Sequence, residues 1–276
     1  MDKNEFTELA LARGVTDPNY YGAILSIANK ITSKKGSDLL TVGIAGAQGS
    51  GKSTLAAMLV IILQKVAGYR AAALSLDDFY KTRQERAQMA IDIHPLFAVR
   101  GVPGTHDVAL LNRVIASIKA GQATTHPVFN KAEDDRDEAW RNVQCLDVLV
   151  LEGWCLGAKP QVESSLLVPI NELEETSDPD GIWRRRVNAE LASTEYQRLF
   201  DCDVNTFLAV PDMESVFRWR LQQEQNLPVG TRVMGEAGVR EFLMYFERIT
   251  RAMLEEMPGR VDITLSLDKT HCLDSR

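Results

Sequence analysis

The sequence predicts an α/β fold in which a mostly parallel, five-stranded sheet is covered by helices on both faces. Short apolar runs of strand length stand at residues 39–45, 71–76, 146–151, 206–210 and 263–267. Between them lie stretches with the apolar periodicity of helices, notably 182–200, 213–225 and 239–256. Strands that are apolar on both faces and alternate with helices are typical of a parallel sheet buried between two helical layers.

The composition argues against several other classes of protein. The chain has 276 residues, of which 45% are hydrophobic, and it therefore does not belong among disordered chains. Its formal net charge of −7 disfavours nucleic acid as the main partner. Residues 1–10 are polar and acidic, unlike a signal peptide, and the apolar run at 55–63 is too short to cross a membrane. Four cysteines without metal-ligand spacing suit a reducing compartment, so we expect a cytoplasmic protein.

The most specific motif is a glycine-rich turn between the first strand and the helix that follows. Residues 46–53 fit the phosphate-binding pattern G-x-x-x-x-G-K-[ST]. Glycines let successive N–H groups point at a phosphate, and the helix N-terminus adds its unpaired donors and positive dipole. We expect Lys52 to reach the β- and γ-phosphates and the Ser53 hydroxyl to ligate Mg²⁺. The predicted nucleotide site comprises Gly46, Ala47, Gln48, Gly49, Ser50, Gly51, Lys52, Ser53 and Thr54.

Carboxylates stand at the ends of two predicted strands. Asp77 and Asp78 follow the second strand, and Glu152 follows the third. Ligands of parallel sheets bind beyond the carboxyl ends of the strands, so these acids should face the γ-phosphate. Glu152 is a candidate for holding Mg²⁺, and Asp77 for accepting the proton of an attacking hydroxyl. Asp78 could exchange roles with Asp77, and for all three the alternative is a helix cap or a turn.

Three motifs in this chain are informative when they are considered together. They are residues 46–53, Ser-Leu-Asp-Asp-Phe-Tyr at 75–80 and Leu-Glu-Gly-Trp at 151–154. Together they resemble the P-loop kinases of the uridine kinase, pantothenate kinase and phosphoribulokinase group. Within that group the chain is most similar to D-glycerate 3-kinases, through residues 100–107, 127–136, 152–157 and 219–224. The resemblance runs from about residue 40 to the end, and it implies that Asp77 is the base and that Glu152 supports Mg²⁺.

The chain departs from the D-glycerate 3-kinases in one segment. Those enzymes usually carry Asp in a Pro-x-Tyr-Asp-Lys stretch, where this chain has Phe129-Asn130. The acidic run 133–135 also replaces a more glycine-rich sequence. If this segment contacts the acceptor, the acceptor need not be glycerate.

Polar residues in the irregular segments after the second strand are candidates for binding the acceptor. Arginine can hold a carboxylate or phosphate through two hydrogen bonds, which suits an anionic small molecule. The alternative is that these are surface charges and a structural histidine. The candidate substrate-binding residues are Asp78, Tyr80, Arg100, His106, Asp107, Lys131 and Arg136.

Three successive arginines at 184–186 begin a predicted helix after an acidic loop. In kinases an arginine-bearing lid closes over the triphosphate and neutralises charge in the transition state. A helix turns by about 100° per residue, so three neighbours cannot face one phosphate, and we select Arg184 and Arg185. The alternative is a solvated face. We also expect Trp219 to lie in the core and residues 268–272 to pass near the nucleobase, as the corresponding loop does in related kinases.

These features predict an ATP- and Mg²⁺-dependent kinase that phosphorylates a hydroxyl of a small metabolite, D-glycerate or a similar hydroxy acid. We expect a single domain over 1–276, with a helical extension at 1–37, an acceptor-binding insertion at 85–140 and a lid at 170–195. A kinase of a nucleoside, pantothenate or a sugar phosphate stays open. So does a P-loop ATPase or switch without a small acceptor, although no Asn/Thr-Lys-x-Asp motif supports guanine binding.

Overall fold

A computed structural model describes residues 3–226 and 233–274 of the chain. Its α-helices are α1 (Lys3–Leu11), α2 (Tyr20–Lys34), α3 (Lys52–Lys65), α4 (Arg83–Asp92), α5 (Val108–Lys119), α6 (Glu172–Ser177), α7 (Ile182–Leu191), α8 (Thr194–Leu199), α9 (Met213–Gln225) and α10 (Glu236–Glu256). Its strands are β1 (Leu40–Gly46), β2 (Ala71–Ser75), β3 (Thr124–His126), β4 (Phe129–Asn130), β5 (Asp135–Arg136), β6 (Arg141–Val143), β7 (Val148–Gly153), β8 (Val204–Ala209) and β9 (Ile263–Ser266).

The central sheet has five parallel strands in the order β2-β7-β1-β8-β9. Strands β1 and β7 are buried along their whole length, because helices cover both faces and the neighbouring strands cover both edges. The edge strands β2 and β9 are partly exposed. The five strands are those that the apolar runs predict, and the α/β fold class is confirmed.

Two apolar cores flank this sheet. One contains α1, α2, α3 and α9, and the isoleucines at 24, 27 and 31 of α2 are completely buried in it. The other contains α5, α7 and α8. Helix α10 contributes to both cores. The two helices expected before the first strand are therefore part of one face of the sheet. Among the described residues, no helix is long and apolar enough to cross a membrane.

The connection from β2 to β7 carries most of the irregular structure. It contains α4, α5 and two small antiparallel pairs, β3 with β6 and β4 with β5. These strands have two or three residues each, which is too short for an alternating pattern to reveal them in the sequence. The helical pattern at 182–200 is two helices rather than one, because Ser193 accepts a hydrogen bond from the Tyr196 N–H (3.3 Å) and starts α8.

Candidate active site

The glycine-rich turn at 46–53 joins the end of β1 to the start of α3. Gly51 caps α3 in the left-handed conformation at φ 91°, which favours glycine. At Gly49 the φ is 76°, and a Cβ there would lie 3.2 Å from the Trp219 Cβ. Lys52 Nζ donates to the Ala47 carbonyl (2.9 Å) and so spans the turn. Enclosure by protein lowers the pKa of Lys52, and the nearby carboxylates of Glu152 and Asp77 oppose that shift.

Ser53 and Glu152 meet beside this turn. The register of the sheet pairs Ile44 of β1 with Glu152 of β7. Glu152 therefore lies at the edge of the sheet where the glycine-rich turn begins. The Ser53 hydroxyl donates to Glu152 Oε1 at 2.8 Å. Hydroxyl and carboxylate oxygens are the ligands that Mg²⁺ prefers, together with phosphate and water. No cluster of three or more His, Cys, Asp or Glu side chains within 3–226 and 233–274 could hold a metal by itself. The pair therefore fits a cation that a nucleotide brings with it.

Asp77 lies in a 3₁₀ turn directly after β2, and both of its carboxylate oxygens are engaged. Oδ1 accepts from the Tyr80 hydroxyl (3.0 Å), and Oδ2 accepts from Lys131 Nζ (2.7 Å). Burial alone would raise the pKa of Asp77, but the charge and hydrogen bond of Lys131 and the charge of Lys52 together lower it to about 2. The carboxylate is therefore ionised at neutral pH.

Asp78 faces a different part of the molecule. Its Oδ1 accepts from the Phe129 N–H (3.3 Å) and so holds β4 in place. Burial raises the pKa of Asp78. Among the described residues that line the cleft next to the glycine-rich turn, Asp77 is present and Asp78 is not. The structure therefore separates the two acids, which sequence reasoning treats as interchangeable.

The cleft has a volume of about 200 Å³ and brings together residues from four parts of the chain. The glycine-rich turn and α3 supply one wall, the ends of β2 and β7 supply a second, the β2–β7 connection supplies a third, and helices α9 and α10 supply the fourth. Its polar and aromatic lining is Gln48, Lys52, Ser53, Thr54, Asp77, Tyr80, Arg100, Lys131, Glu152, Trp154, Arg220, Gln223, Phe242 and Phe246. Of the predicted acceptor residues, Tyr80, Arg100 and Lys131 reach this cleft.

His106, Asp107 and Arg136 do not belong to the described lining of the cleft, contrary to prediction. Arg136 Nε donates to the Tyr80 carbonyl (2.8 Å) and its Nη2 pairs with Asp107, which caps α5. The His106 ring stacks on Tyr80 at 4.6 Å, and its Nδ1 hydrogen-bonds the Tyr196 hydroxyl (2.8 Å). Burial lowers the pKa of His106 to about 3, so the ring is neutral. Arg136 therefore holds the backbone of Tyr80, and the His106 ring packs on the Tyr80 ring.

Arg184 and Arg185 also lie outside the described lining of the cleft, contrary to the lid prediction. The Arg184 side chain is 2% exposed and pairs with Asp178, which is 1% exposed, at 3.0 Å. It donates further to the Leu166 carbonyl (2.7 Å). Arg185 pairs with Glu163 at 2.5 Å. Because a buried guanidinium needs a carboxylate and carbonyls around it, Arg184 is held within the fold.

Arg220 is the cleft arginine that sequence reasoning missed. It lies on α9, pairs with Glu224 four residues later, and stands over the Phe242 ring at 5.5 Å. Glu224 is buried and also accepts from the Met234 N–H (3.0 Å), so the pair fixes the end of α9. The signal for Arg220 is the Trp-Arg-x-Gln-Gln-Glu motif at 219–224, one of the segments that resemble D-glycerate 3-kinases.

A second cavity, of about 320 Å³, lies on the other side of the glycine-rich turn and shares Gly49, Gly51, Thr54 and Gln223 with the cleft. The turn at 13–17 and the C-terminal residues 270–273 form its outer wall. These two segments are bound together, because Asp17 Oδ2 accepts from the Leu273 N–H (2.6 Å). Residues 270–272 thus line the same cavity as the turn. Trp219 is buried, as expected, and it stacks on His271 at 4.1 Å.

Comparison with known proteins places this arrangement in a family. Residues 41–167 match the Phosphoribulokinase / Uridine kinase family. The uncharacterized kinase mug58 of Schizosaccharomyces pombe is 33% identical over 249 residues, which cover 84% of this chain and 86% of that protein. The chloroplastic D-glycerate 3-kinase of Arabidopsis thaliana is 29% identical over 221 residues, covering 75% of this chain but 45% of the plant protein.

A solved structure has the same fold along nearly the whole chain. The D-glycerate 3-kinase from Cryptococcus neoformans superimposes with a TM-score of 0.72 and 26% identity, over 91% of this chain and 94% of its own. Family match, relatives and fold agree with a nucleotide-binding turn that faces a strand-end carboxylate across one cleft. The chain therefore belongs to the phosphoribulokinase and uridine kinase family of P-loop kinases and is an ATP-dependent phosphotransferase.

Proposed function

We propose that the protein transfers the γ-phosphate of ATP to a hydroxyl of a small hydroxy acid, of which D-glycerate is the first candidate. The observation that carries this proposal is the cleft itself, which is lined by the glycine-rich turn at 46–53 (the P-loop), by Asp77, and by two cations of the β2–β7 connection, Arg100 and Lys131. Lys131 bonds Asp77 directly. A carboxylate base next to cations suits an acceptor that carries both a hydroxyl and an anionic group. The D-glycerate 3-kinases among the relatives support the same acceptor class.

The nucleotide would lie across the P-loop, with its phosphates in the cleft and its nucleoside in the second cavity. The two cavities share residues of the P-loop, so one extended molecule can occupy both. The N–H groups of residues 46–54 and Lys52 would bind the β- and γ-phosphates. Mg²⁺ held by Ser53 and Glu152 would neutralise phosphate charge, for which the oxygen pair is suited.

Asp77 would accept the proton of the acceptor hydroxyl as that oxygen attacks the γ-phosphorus. The new bond joins the acceptor oxygen to phosphorus, the bond from the γ-phosphorus to the β,γ-bridging oxygen breaks, and ADP leaves. Lys52 and Arg220 line the same cleft and would stabilise the charge on the transferred group. Tyr80 would orient Asp77 through its hydroxyl, since His106 and Arg136 fix its ring and its carbonyl.

The departure from the D-glycerate 3-kinase pattern at Phe129-Asn130 does not argue against a hydroxy acid. Phe129 is buried, with its ring edge-on to Tyr80 at 5.2 Å. Asn130 Oδ1 accepts from the Ala132 N–H (3.0 Å), and Nδ2 donates to Asp137 (3.2 Å). An aspartate at 130 would repel Asp137, which is a structural reason for the asparagine. Both residues shape the β4–β5 turn, so the substitutions are compatible with the same acceptor.

We also propose that residues 1–276 form one kinase domain, because the N-terminal helices α1 and α2 share a core with α3 and α9. The 85–140 segment would serve the acceptor through Arg100 and Lys131. Arg220 on α9, which lines the cleft, would neutralise phosphate charge in place of Arg184 and Arg185.

The test is ADP release from Mg²⁺ATP by the purified protein with a panel of acceptors. The panel holds D-glycerate, L-glycerate, other hydroxy acids, nucleosides, pantothenate and sugar phosphates. Strong stimulation by D-glycerate or another hydroxy acid is the expected result. Stimulation by a nucleoside or another neutral compound alone would overturn the acceptor class and leave the phosphotransferase. Slow ADP release that no acceptor stimulates would favour an ATPase.

A further inference from the structure

The two partners of Asp77 differ in how firmly they are held. Tyr80 is buried, and its ring and its carbonyl are fixed by His106 and Arg136. The Lys131 side chain is 64% exposed, whereas that of Asp77 is 31% exposed. Oδ1 of Asp77 therefore has a rigid partner and Oδ2 has a mobile one, because a lysine ammonium on a solvated four-carbon stem can change position freely.

The backbone around Lys131 is anchored independently of the ion pair with Asp77. Lys131 stands in the turn between β4 and β5. The Asn130 carboxamide accepts from the backbone of that turn, and Asp134 pairs with the buried Arg86 at 2.9 Å. The ammonium of Lys131 can thus leave Asp77 without moving the turn.

We infer that Lys131 occupies Asp77 only in the acceptor-free enzyme, and that the anionic group of an acceptor draws the ammonium away and so frees Oδ2 to take the hydroxyl proton. This inference rests on the proposed function. The exchange replaces one exposed ion pair with another, and exposed pairs contribute little to stability, so the acceptor's carboxylate can compete for the lysine. Lys131 stays protonated throughout, and the transferred proton ends on Asp77.

The exchange would also change how strong a base Asp77 is. The groups that face it are Lys131 from the β4–β5 turn, Lys52 from α3, and Tyr80 and His106 from the β2–β7 connection. Lys131 is the strongest of the charges that lower the pKa of Asp77. Water or a neutral alcohol carries no anionic group to attract the Lys131 ammonium. It therefore meets Asp77 while the carboxylate is still paired with Lys131 and is a weak base. The arrangement would therefore suppress ATP hydrolysis and select anionic acceptors.

The experiment compares Lys131→Met with wild type on D-glycerate and on glycerol, in which a hydroxymethyl group replaces the carboxylate. We expect Lys131→Met to lower kcat/KM for D-glycerate by about 100-fold. Its kcat/KM for glycerol and its ADP release without acceptor should rise several-fold, because Oδ2 of Asp77 is then free. Lys65→Met is the matched control, since Lys65 is also exposed and paired with a carboxylate, Glu5, at 2.6 Å. It ends α3, roughly 20 Å from Lys52, and should behave like wild type.

A pH profile separates this exchange from a purely structural role. The kcat/KM profile reports the free enzyme and the kcat profile reports the ternary complex. In wild type the acid limb of kcat should lie at higher pH than that of kcat/KM, because Lys131 has left Asp77 in the complex. In Lys131→Met the acid limb of kcat/KM should move up. Coinciding limbs in wild type would overturn the inference.

The outcomes also distinguish this inference from the proposed function. If wild type phosphorylates D-glycerate and Lys131→Met keeps the same preference over glycerol, the exchange is wrong while the function stands. An equal loss on both acceptors, with no rise in ATP hydrolysis, would likewise overturn it. If wild type accepts no hydroxy acid, the proposed function fails. If acceptor-free ATP hydrolysis is then also unchanged in Lys131→Met, Lys131 does not suppress hydrolysis and the inference fails as well.

Discussion

Replacing Asp77 with asparagine tests the assignment on which the mechanism depends. Asparagine has the same shape, and its carboxamide can still bond both neighbours, because the Tyr80 hydroxyl can accept as well as donate. The oxygen of the carboxamide would then face Lys131 Nζ. What the variant loses is the negative charge and the ability to take a proton. Asp77→Asn should therefore fold and bind ATP but transfer phosphate slowly.

The substitution should lower both the turnover and the stability of the protein, and the relative size of these two losses decides what the assay will show. A general base contributes about 10²- to 10⁴-fold to turnover, or about 3 to 5 kcal/mol of activation free energy. The lowered pKa of Asp77, about 2 against 3.8, corresponds to an upper limit of about 2.4 kcal/mol of stability. Because Lys131 is exposed, solvent screening reduces this to about 1 kcal/mol. That contribution is complete above pH 4 and is lost as the pH falls through 2, so at neutral pH the loss of turnover dominates.

The assay is steady-state ADP release with saturating ATP and the acceptor found in the panel. Asp78→Asn is the matched control, since Asp78 neighbours Asp77 in sequence but holds β4. We expect kcat to fall by about 100-fold or more in Asp77→Asn and to change only several-fold in Asp78→Asn, with a similar KM for ATP in both. A kcat of Asp77→Asn within tenfold of wild type would refute the assignment of the base.

Three further substitutions test other parts of the structure. Arg220→Met should lower kcat by about 100-fold with little effect on the KM for ATP, and an unchanged kcat would remove Arg220 from the mechanism. Arg184→Ala leaves the buried Asp178 carboxylate without its guanidinium partner, so it should lower the free energy of unfolding in urea by about 3 to 5 kcal/mol. A larger loss of kcat than unfolding explains would revive its role as a lid residue. Asp17→Ala removes the contact with Leu273 at the nucleoside cavity and should raise the KM for ATP several-fold while the KM for the acceptor stays unchanged; the opposite pattern would place the nucleoside elsewhere.

Those features of the chain that depend on contiguous residues could be predicted from the sequence. The five strands follow from apolar runs, because a strand buried on both faces needs apolar side chains at every position. The P-loop follows from its glycines and the Lys-Ser pair, because its phosphate-binding pattern lies within one turn of contiguous residues. The placement of Asp77 and Glu152 at one edge follows from parallel pairing, which aligns the ends of β2 and β7.

The roles of single charged residues were decided by tertiary structure. The side chains of Asp77 and Asp78 are adjacent in sequence, yet one faces the cleft and the other holds β4, since the tight turn after β2 directs them apart. Arg184 and Arg220 are both helical arginines, and only the surroundings distinguish them, as Asp178 holds the first inside the fold while the second lines the cleft.

The same holds for the β2–β7 side of the cleft and for the second cavity. Lys131 becomes a partner of Asp77 only because a β-hairpin of very short strands brings it across 54 residues of sequence. The turn at 13–17 lines the same cavity as the P-loop, and it is held there by the packing of α1 and α2 and by the bond between Asp17 and Leu273. Sequence alone determined the fold class and the phosphate-binding chemistry, since these reside in local pattern. Tertiary structure decided which charges meet in the cleft, because a side chain's partner depends on segments that are remote along the chain.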